Sequence, residues 1–298
     1  MAQPKFTRQM TDAEFEVLFP TDDACKAYLM NRRWPDGIIK CPRCSNDKVW
    51  TLKARPFHWQ CNQCGPRDYR FSVIVGTVFE NSNVGLRQWF KVIYLMLTSK
   101  KGIAALQVHR MMGFGSYETA HYMCMRVRAG LADPKFRQLV GIVEVDETYV
   151  GGKNKNRHKD KRIKGRGTAG KEIVVGAVER NGSVVARVIR NTDGPTLQGF
   201  VREAVSTKVD LLASDEHRSY WGLSDYPHAF VRHGAHEYVV GTVHTCTIDF
   251  FWSLLKRGIM GTFHKVSAKY LPLYVAEFAW RYNNGQNPDI FSDAVAAC

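Results

Sequence analysis

The stretch Ile142-Val143-Glu144-Val145-Asp146-Glu147-Thr148-Tyr149-Val150 decides how the rest of the chain is read. It alternates badly for a surface strand, and its apolar, β-branched content predicts a central, buried one. Asp146 sits inside that run, where an ionised carboxylate costs several kcal/mol unless a charge or a metal compensates it. Taken alone, it reads as a strand-end acid capping the turn before Gly151-Gly152. A second run changes the weight of the first. Val209-Asp210-Leu211-Leu212-Ala213-Ser214-Asp215 is also apolar and also runs into an acid. Two acids ending two apolar strands in one strongly basic chain point to a metal-binding carboxylate pair facing phosphates.

The chain has 298 residues, enough for two domains or one large domain with appendages, and 45% of them are hydrophobic. Its formal net charge of +14 points to a polyanionic partner, with nucleic acid as the natural one. Residues 1–20 hold no apolar core of signal-peptide length, and the run from Trp89 to Leu97 is interrupted by Lys91. A cytosolic (cytoplasmic) protein with no membrane partner is expected, so the cysteines are not read as a disulfide framework.

Working outward toward the N-terminus, residues 11–18 read as a helix capped by Thr11, with Glu14 completing a capping box. A second helix starts at Thr21 or Asp22 and breaks at Trp34-Pro35-Asp36-Gly37. Cys41-Pro42-Arg43-Cys44 and Cys61-Asn62-Gln63-Cys64 follow, with sixteen residues between the pairs. This is the spacing of a four-thiolate zinc site: each knuckle turns two sulfurs toward one metal, and two knuckles complete a tetrahedron. Such a zinc ion is structural, because four thiolates leave no position for water. Arg43, Lys48, Lys53, Arg55, Arg67 and Arg70 surround it, which suits a DNA-contacting ribbon as well as a purely structural one. Leu86–Leu97 reads as a core helix. Ile103–Met112 and Tyr117–Leu131, joined through Gly113-Phe114-Gly115-Ser116 and carrying Lys100, Lys101, Arg110, Arg126 and Arg128, resemble a helix-turn-helix. Any helical hairpin would show the same pattern.

Beyond Asp146, the segment from Gly151 to Lys171 carries nine Lys or Arg against the single acid Asp160. It reads as a solvated run or as a clamp on a DNA backbone. Lys171–Val178 and Ser183–Ile189 read as strands joined by an Asn181-Gly182 hairpin turn. A helix is expected at Thr196–Ser206, then the second acidic strand. His244–Gly258 reads as a helix that sets Asp249, Trp252 and Lys256 on one face, at i, i+3 and i+7. Asp249 is either a third carboxylate brought to the first two or an ordinary exposed helix acid. The expected fold class is α/β, with a mixed sheet in ribonuclease-H-like order behind a zinc ribbon and a helix-turn-helix-like region. The corresponding domains are a helical lead-in at 1–40, a ribbon at 41–75, the helical region at 76–135 and the sheet domain at 138–298.

Several phrases together resemble a known family, the bacterial insertion-sequence transposases of the Asp-Asp-Glu/Asn class with an N-terminal zinc ribbon. They are the two cysteine pairs, Val143–Gly152, Ser214-Asp215-Glu216, His244-Thr245, Phe251–Ile259, Gly261-Thr262-Phe263-His264 and Tyr274–Asn283. The resemblance covers nearly the whole chain. It implies a ribonuclease-H-like catalytic domain in which Asp146, Asp215 and a third ligand, Asp249, hold two Mg²⁺ ions, with Mn²⁺ as a substitute. It further implies cleavage and strand transfer at double-stranded DNA, recognition of terminal inverted repeats, a backbone contact from Lys256, and a homo-oligomer on DNA. The chain departs from the family pattern at one place. The family commonly has Asn after His-Thr and Glu three residues later, where this chain has Cys246 and Asp249, and cysteine is a soft ligand poorly matched to Mg²⁺. That departure sets a catalytically impaired, transposase-derived DNA-binding protein beside the active enzyme. A ribonuclease-H-like nuclease without strand transfer is the third reading.

Overall fold

The computed structural model describes residues 10–65, 68–132, 136–152, 156, 158–163, 168–231 and 243–298. The chain divides into two compact units, Met1–Leu131 with Gln286–Cys298 and, between them in sequence, Ala132–Gly285. Among the described residues no helix is long and apolar enough to cross a membrane.

The first unit opens with α1 (Asp12–Leu18) and α2 (Asp22–Arg33). Thr11 Oγ1 accepts the Glu14 N–H at 3.2 Å while the Glu14 carboxylate accepts the Thr11 N–H at 2.7 Å, so the capping box forms as expected. The ribbon is a three-stranded antiparallel sheet of β1 (Trp50–Thr51), β2 (His58–Cys61) and β3 (Tyr69–Ser72), in that order. It is too small to have a core of its own beyond Trp59, which packs on Trp34 and Phe71 at 5.4 and 5.8 Å between ring centroids. Then come α3 (Leu86–Thr98), α4 (Ala105–Met112) and α5 (Tyr117–Gly130). Gly113 closes α4 at φ +64°, a left-handed position that suits glycine, and Ser116 caps α5. In α3, Trp89, Phe90, Val92, Ile93 and Met96 are all buried.

Arg128 corrects one expectation for this hairpin. Its side chain is fully buried and cannot reach DNA. Arg126 donates to the Glu80 carbonyl and the Tyr122 hydroxyl. The exposed basic residues of the region are Lys100, Lys101 and Arg110. A helix assigned no role in the sequence, α9 (Ile290–Ala297), completes this unit: Phe291 packs against Phe15, Phe19, Tyr28 and Phe90. The sequence carries the sheet domain to residue 298, whereas Gln286–Cys298 group with the N-terminal helices.

The second unit is a five-stranded mixed sheet. Its strands are β4 (Ile142–Val150), β5 (Glu172–Glu179), β6 (Val184–Ile189), β7 (Leu211–Ser214) and β8 (His228–Phe230), in spatial order β6-β5-β4-β7-β8. β4, β5 and β6 are antiparallel neighbours, and β7 and β8 run parallel to β4. The long apolar strand is central, as its composition dictates. Val143, Val145 and Leu212 pack on one face against Leu197, Phe200 and Val201 of α6 (Gly194–Ala204). Val150, Val174 and Val178 pack on the other against α7 (Cys246–Gly258) and α8 (Leu271–Asn283). Asn283, at the end of α8, pairs with both backbone groups of Val184 on the edge strand, at 2.7 and 3.0 Å. Much of the basic segment after Gly152, and Arg67 of the ribbon, lie outside the described residues.

Candidate active site

Strand register brings the two acids together. β4 and β7 pair as Ile142–Leu211, Val143–Leu212 and Glu144–Ala213. The paired stretch ends there; extending its offset by two residues would bring Asp146 level with Asp215, the residue that directly follows β7. Electrostatics report the same proximity. Burial, then the charges of Glu147 and Asp215, push the Asp146 carboxyl up to about 7. Burial and Asp215 likewise raise Glu147, which accepts a hydrogen bond from the Tyr220 hydroxyl at 3.0 Å. Asp215 Oδ1 accepts the His217 N–H at 3.0 Å, which fixes the loop that follows β7.

The third component, α7, is bolted to β4 by a residue that the sequence reading passed over. Glu144 lies two positions before Asp146, on the same face of the strand, and its side chain is 0% exposed. Its carboxylate accepts the N–H groups of Thr247 and Ile248, at 2.7 and 3.1 Å, and the Thr247 hydroxyl at 2.9 Å. Arg180 Nε donates to it at 2.7 Å, and His244 Nδ1 stands 3.2 Å away. Arg180 also donates to the His244 carbonyl. Thr245, the residue before the helix, makes no side-chain cap, and Glu144 does that work from the neighbouring strand.

So placed, α7 lays Trp252 on the sheet, where its indole Nε1 donates to Asp146 Oδ2 at 2.9 Å. Gly176, the β5 partner of Asp146, makes room for the ring: a Cβ there would meet Trp252 at 2.7 Å. Trp252 is 3% exposed, whereas Asp249, one turn earlier, and Lys256, one turn later, face solvent. Cys246 is exposed at the first helical position. Within the helix, 249, 252 and 256 keep the i, i+3, i+7 spacing of one face, with the indole buried and both charged side chains exposed. Asp146, Asp215 and Asp249 do not form a closed cage. Among the described residues, the group of three or more metal-ligating side chains with donor atoms within 4.8 Å of one another is Cys41, Cys44, Cys61 and Cys64.

Those four cysteines fit zinc. Cys41–Cys64 and Cys44–Cys61 Sγ distances are 3.7 and 3.6 Å, and a tetrahedron with Zn–S near 2.3 Å has edges of about 3.8 Å. Asn46 Nδ2 lies 3.7 Å from Cys61 Sγ, the outer contact that orients a thiolate ligand. The acid pair fits a hard dication by its chemistry. Half-buried oxygen donors that repel one another, with one proton held abnormally tightly, are what such an ion relieves.

Comparison with known proteins agrees with this architecture. Residues 20–67 match the transposase zinc-ribbon domain and residues 138–283 the ISXO2-like transposase domain. A Halobacterium salinarum protein, described as an uncharacterized protein in transposable element ISH50, is 29% identical over 249 residues, 76% of this chain and 79% of its own length. A chain in the cryoEM structure of a simian T-cell lymphotropic virus intasome with PP2A regulatory subunit B56 gamma aligns at TM-score 0.29 and 11% identity. That alignment covers 64% of this chain and 65% of the other, and a likeness at that score carries no argument. With four thiols at zinc spacing in front of a mixed sheet that carries the paired acids, the chain belongs to the insertion-sequence transposases with an N-terminal zinc ribbon.

Proposed function

We propose that this transposase nicks DNA at the ends of its own insertion sequence and joins the freed 3′ ends to target DNA, on a ribonuclease-H-like sheet. The observation that carries the reading is the effect of the Asp215 charge on Asp146, which with burial and Glu147 holds the Asp146 carboxyl up to about 7. Asp146 and Asp215 hold divalent metal, with Asp249 as the third carboxylate. Mg²⁺ held there supplies Lewis-acid and water-activating chemistry for in-line phosphoryl transfer. Trp252 fixes one carboxylate oxygen of Asp146. Lys256, exposed on the same helix, contacts the DNA backbone near the reacting phosphate.

The ribbon and the α4–α5 hairpin, acting as a helix-turn-helix, bind the terminal inverted repeats. Exposed Arg43, Lys48, Lys53, Arg55, Arg70, Lys100 and Arg110 supply the sequence-independent share of affinity. Pairing two element ends calls for a homo-oligomer on DNA, within the cytoplasm.

A Mg²⁺-dependent nicking and strand-transfer assay on the element's own ends tests this. Asp146→Asn and Asp215→Asn each abolish nicking while DNA binding persists, and Asp249→Ala does the same if it is the third ligand. Nicking that survives both strand-acid substitutions refutes the assignment. Exposed Cys246, where relatives commonly have Asn, supports a second reading in which catalysis is impaired. Strong activation by Cys246→Asn would establish it.

A further inference from the structure

We propose that Trp221, Phe230 and Arg218 form a stacking surface for an unpaired base of the DNA strand held at the acid pair; this rests on the reading of that pair as a DNA-processing site. Single exposed apolar residues are ordinary and call for no explanation. These aromatics are paired. Trp221 is 58% exposed and Phe230 37% exposed, and their ring centroids lie 6.3 Å apart at an interplanar angle of 31°. The Arg218 guanidinium sits 5.6 Å from the Trp221 ring, adding a planar cation to the same surface.

Their place in the fold argues for DNA. Phe230 is the register partner of Ser214, the residue before Asp215, and the next residue, Val231, donates its N–H to the Ser214 carbonyl at 3.1 Å. Trp221 ends the short 3₁₀ turn Arg218–Tyr220 that leaves Asp215. The turn is held rigidly. Buried Tyr220 donates to Glu147, Ser219 Oγ donates to the Thr192 carbonyl at 2.7 Å, and Gln198 donates to the Ser219 carbonyl at 2.9 Å. Fixed aromatics lose little entropy on binding a flat partner.

Asp215 and exposed Glu216 border the same turn and disfavour a bare phosphate there. The group suited to the aromatic faces is therefore a base, which stacks without regard to sequence. A base reaches them only after leaving the duplex, as happens to a frayed strand at a cleavage point.

The test uses the full-length, zinc-loaded chain without added Mg²⁺ and a short mixed-sequence single strand carrying one 2-aminopurine, with the matching blunt duplex as control. Stacking quenches the 2-aminopurine. Trp221→Ala removes the quench and weakens single-strand binding about tenfold, the order of one lost base stack, while duplex binding stays within about twofold. Trp221→Phe keeps most of the affinity, and Phe230→Ala weakens it less than Trp221→Ala. Circular dichroism establishes that the variants are folded. Equal single-strand affinity in wild type, Trp221→Ala and Phe230→Ala overturns the proposal. A change confined to self-association overturns it too, since the surface then meets a second copy. Because the readout needs no catalytic metal and no cleavage, it stands apart from the fate of Asp146→Asn in the nicking assay.

Discussion

Replacing Glu144 separates a positioning role from an incidental ion pair. Glu144→Ala strands the largely buried Arg180 guanidinium, and removing one partner of such a pair costs about 3–5 kcal/mol. It also orphans two N–H groups at the start of α7, each worth about 1 kcal/mol by the measure of a lost N-cap. The sum approaches the whole stability of an ordinary domain, so the milder Glu144→Gln is the informative variant. Glutamine keeps one carbonyl oxygen and the shape, loses the charge, and is expected to cost about 2–3 kcal/mol. Native-state hydrogen exchange reads the result residue by residue. Protection at Thr247 and Ile248 falls most, followed by that of the sheet. Adding Arg180→Gln to Glu144→Gln is expected to recover at least about 1 kcal/mol, because the uncompensated charge is gone. A cost for Glu144→Gln below about 0.5 kcal/mol, with exchange at Thr247 and Ile248 unchanged, would refute the reasoning.

Two other expectations concern Asp146 and the Gly176–Trp252 contact beside it. Its carboxyl is raised in the folded protein to about 7 from 3.8, so the folded state holds the proton more tightly. Without metal, this group's contribution is best below about pH 4 and is lost as pH rises through about 7, costing roughly 4 kcal/mol in all. Stability of the zinc-loaded protein measured without Mg²⁺ from pH 5 to 8 should show that slope in the wild type, and its persistence in Asp146→Asn would dismiss the cause. Gly176→Ala drives a Cβ against the Trp252 ring and should destabilise by about 1–3 kcal/mol. Combining it with Trp252→Phe should recover much of that loss in urea unfolding, since the smaller ring clears the methyl.

Local signals were legible in the sequence. Thr11 and Glu14 announced the first helix because a capping box is complete within four residues. Asn181, at φ +60°, takes a left-handed position in the turn between β5 and β6, though Gly182 does not share it as a two-residue Asn-Gly turn would require. The cysteine pairs were readable because metal geometry dictates their spacing. The central place of Ile142–Val150 followed from its apolar content. Relations between distant segments were not legible. The role of Glu144 depends on groups about a hundred positions further along, and only its even spacing from Asp146 in a buried strand hinted at it. β8 is three residues long and lacks any period to detect. The burial of Arg128 contradicts its charge, and no local pattern announces it.

The return of α9 to the N-terminal helices makes the sheet unit an insert within the other unit's chain. Phe291 fills the aromatic cluster around Phe15, Phe19 and Phe90, and the Cys298 carbonyl accepts the Val78 N–H. A ribosome therefore releases the sheet unit before the helical unit that precedes it in the message can finish folding. A product stopped near residue 285 would carry every proposed metal ligand and still lack the keystone of the unit that bears the zinc ribbon. Translation order thus makes folding of the helical unit wait for α9.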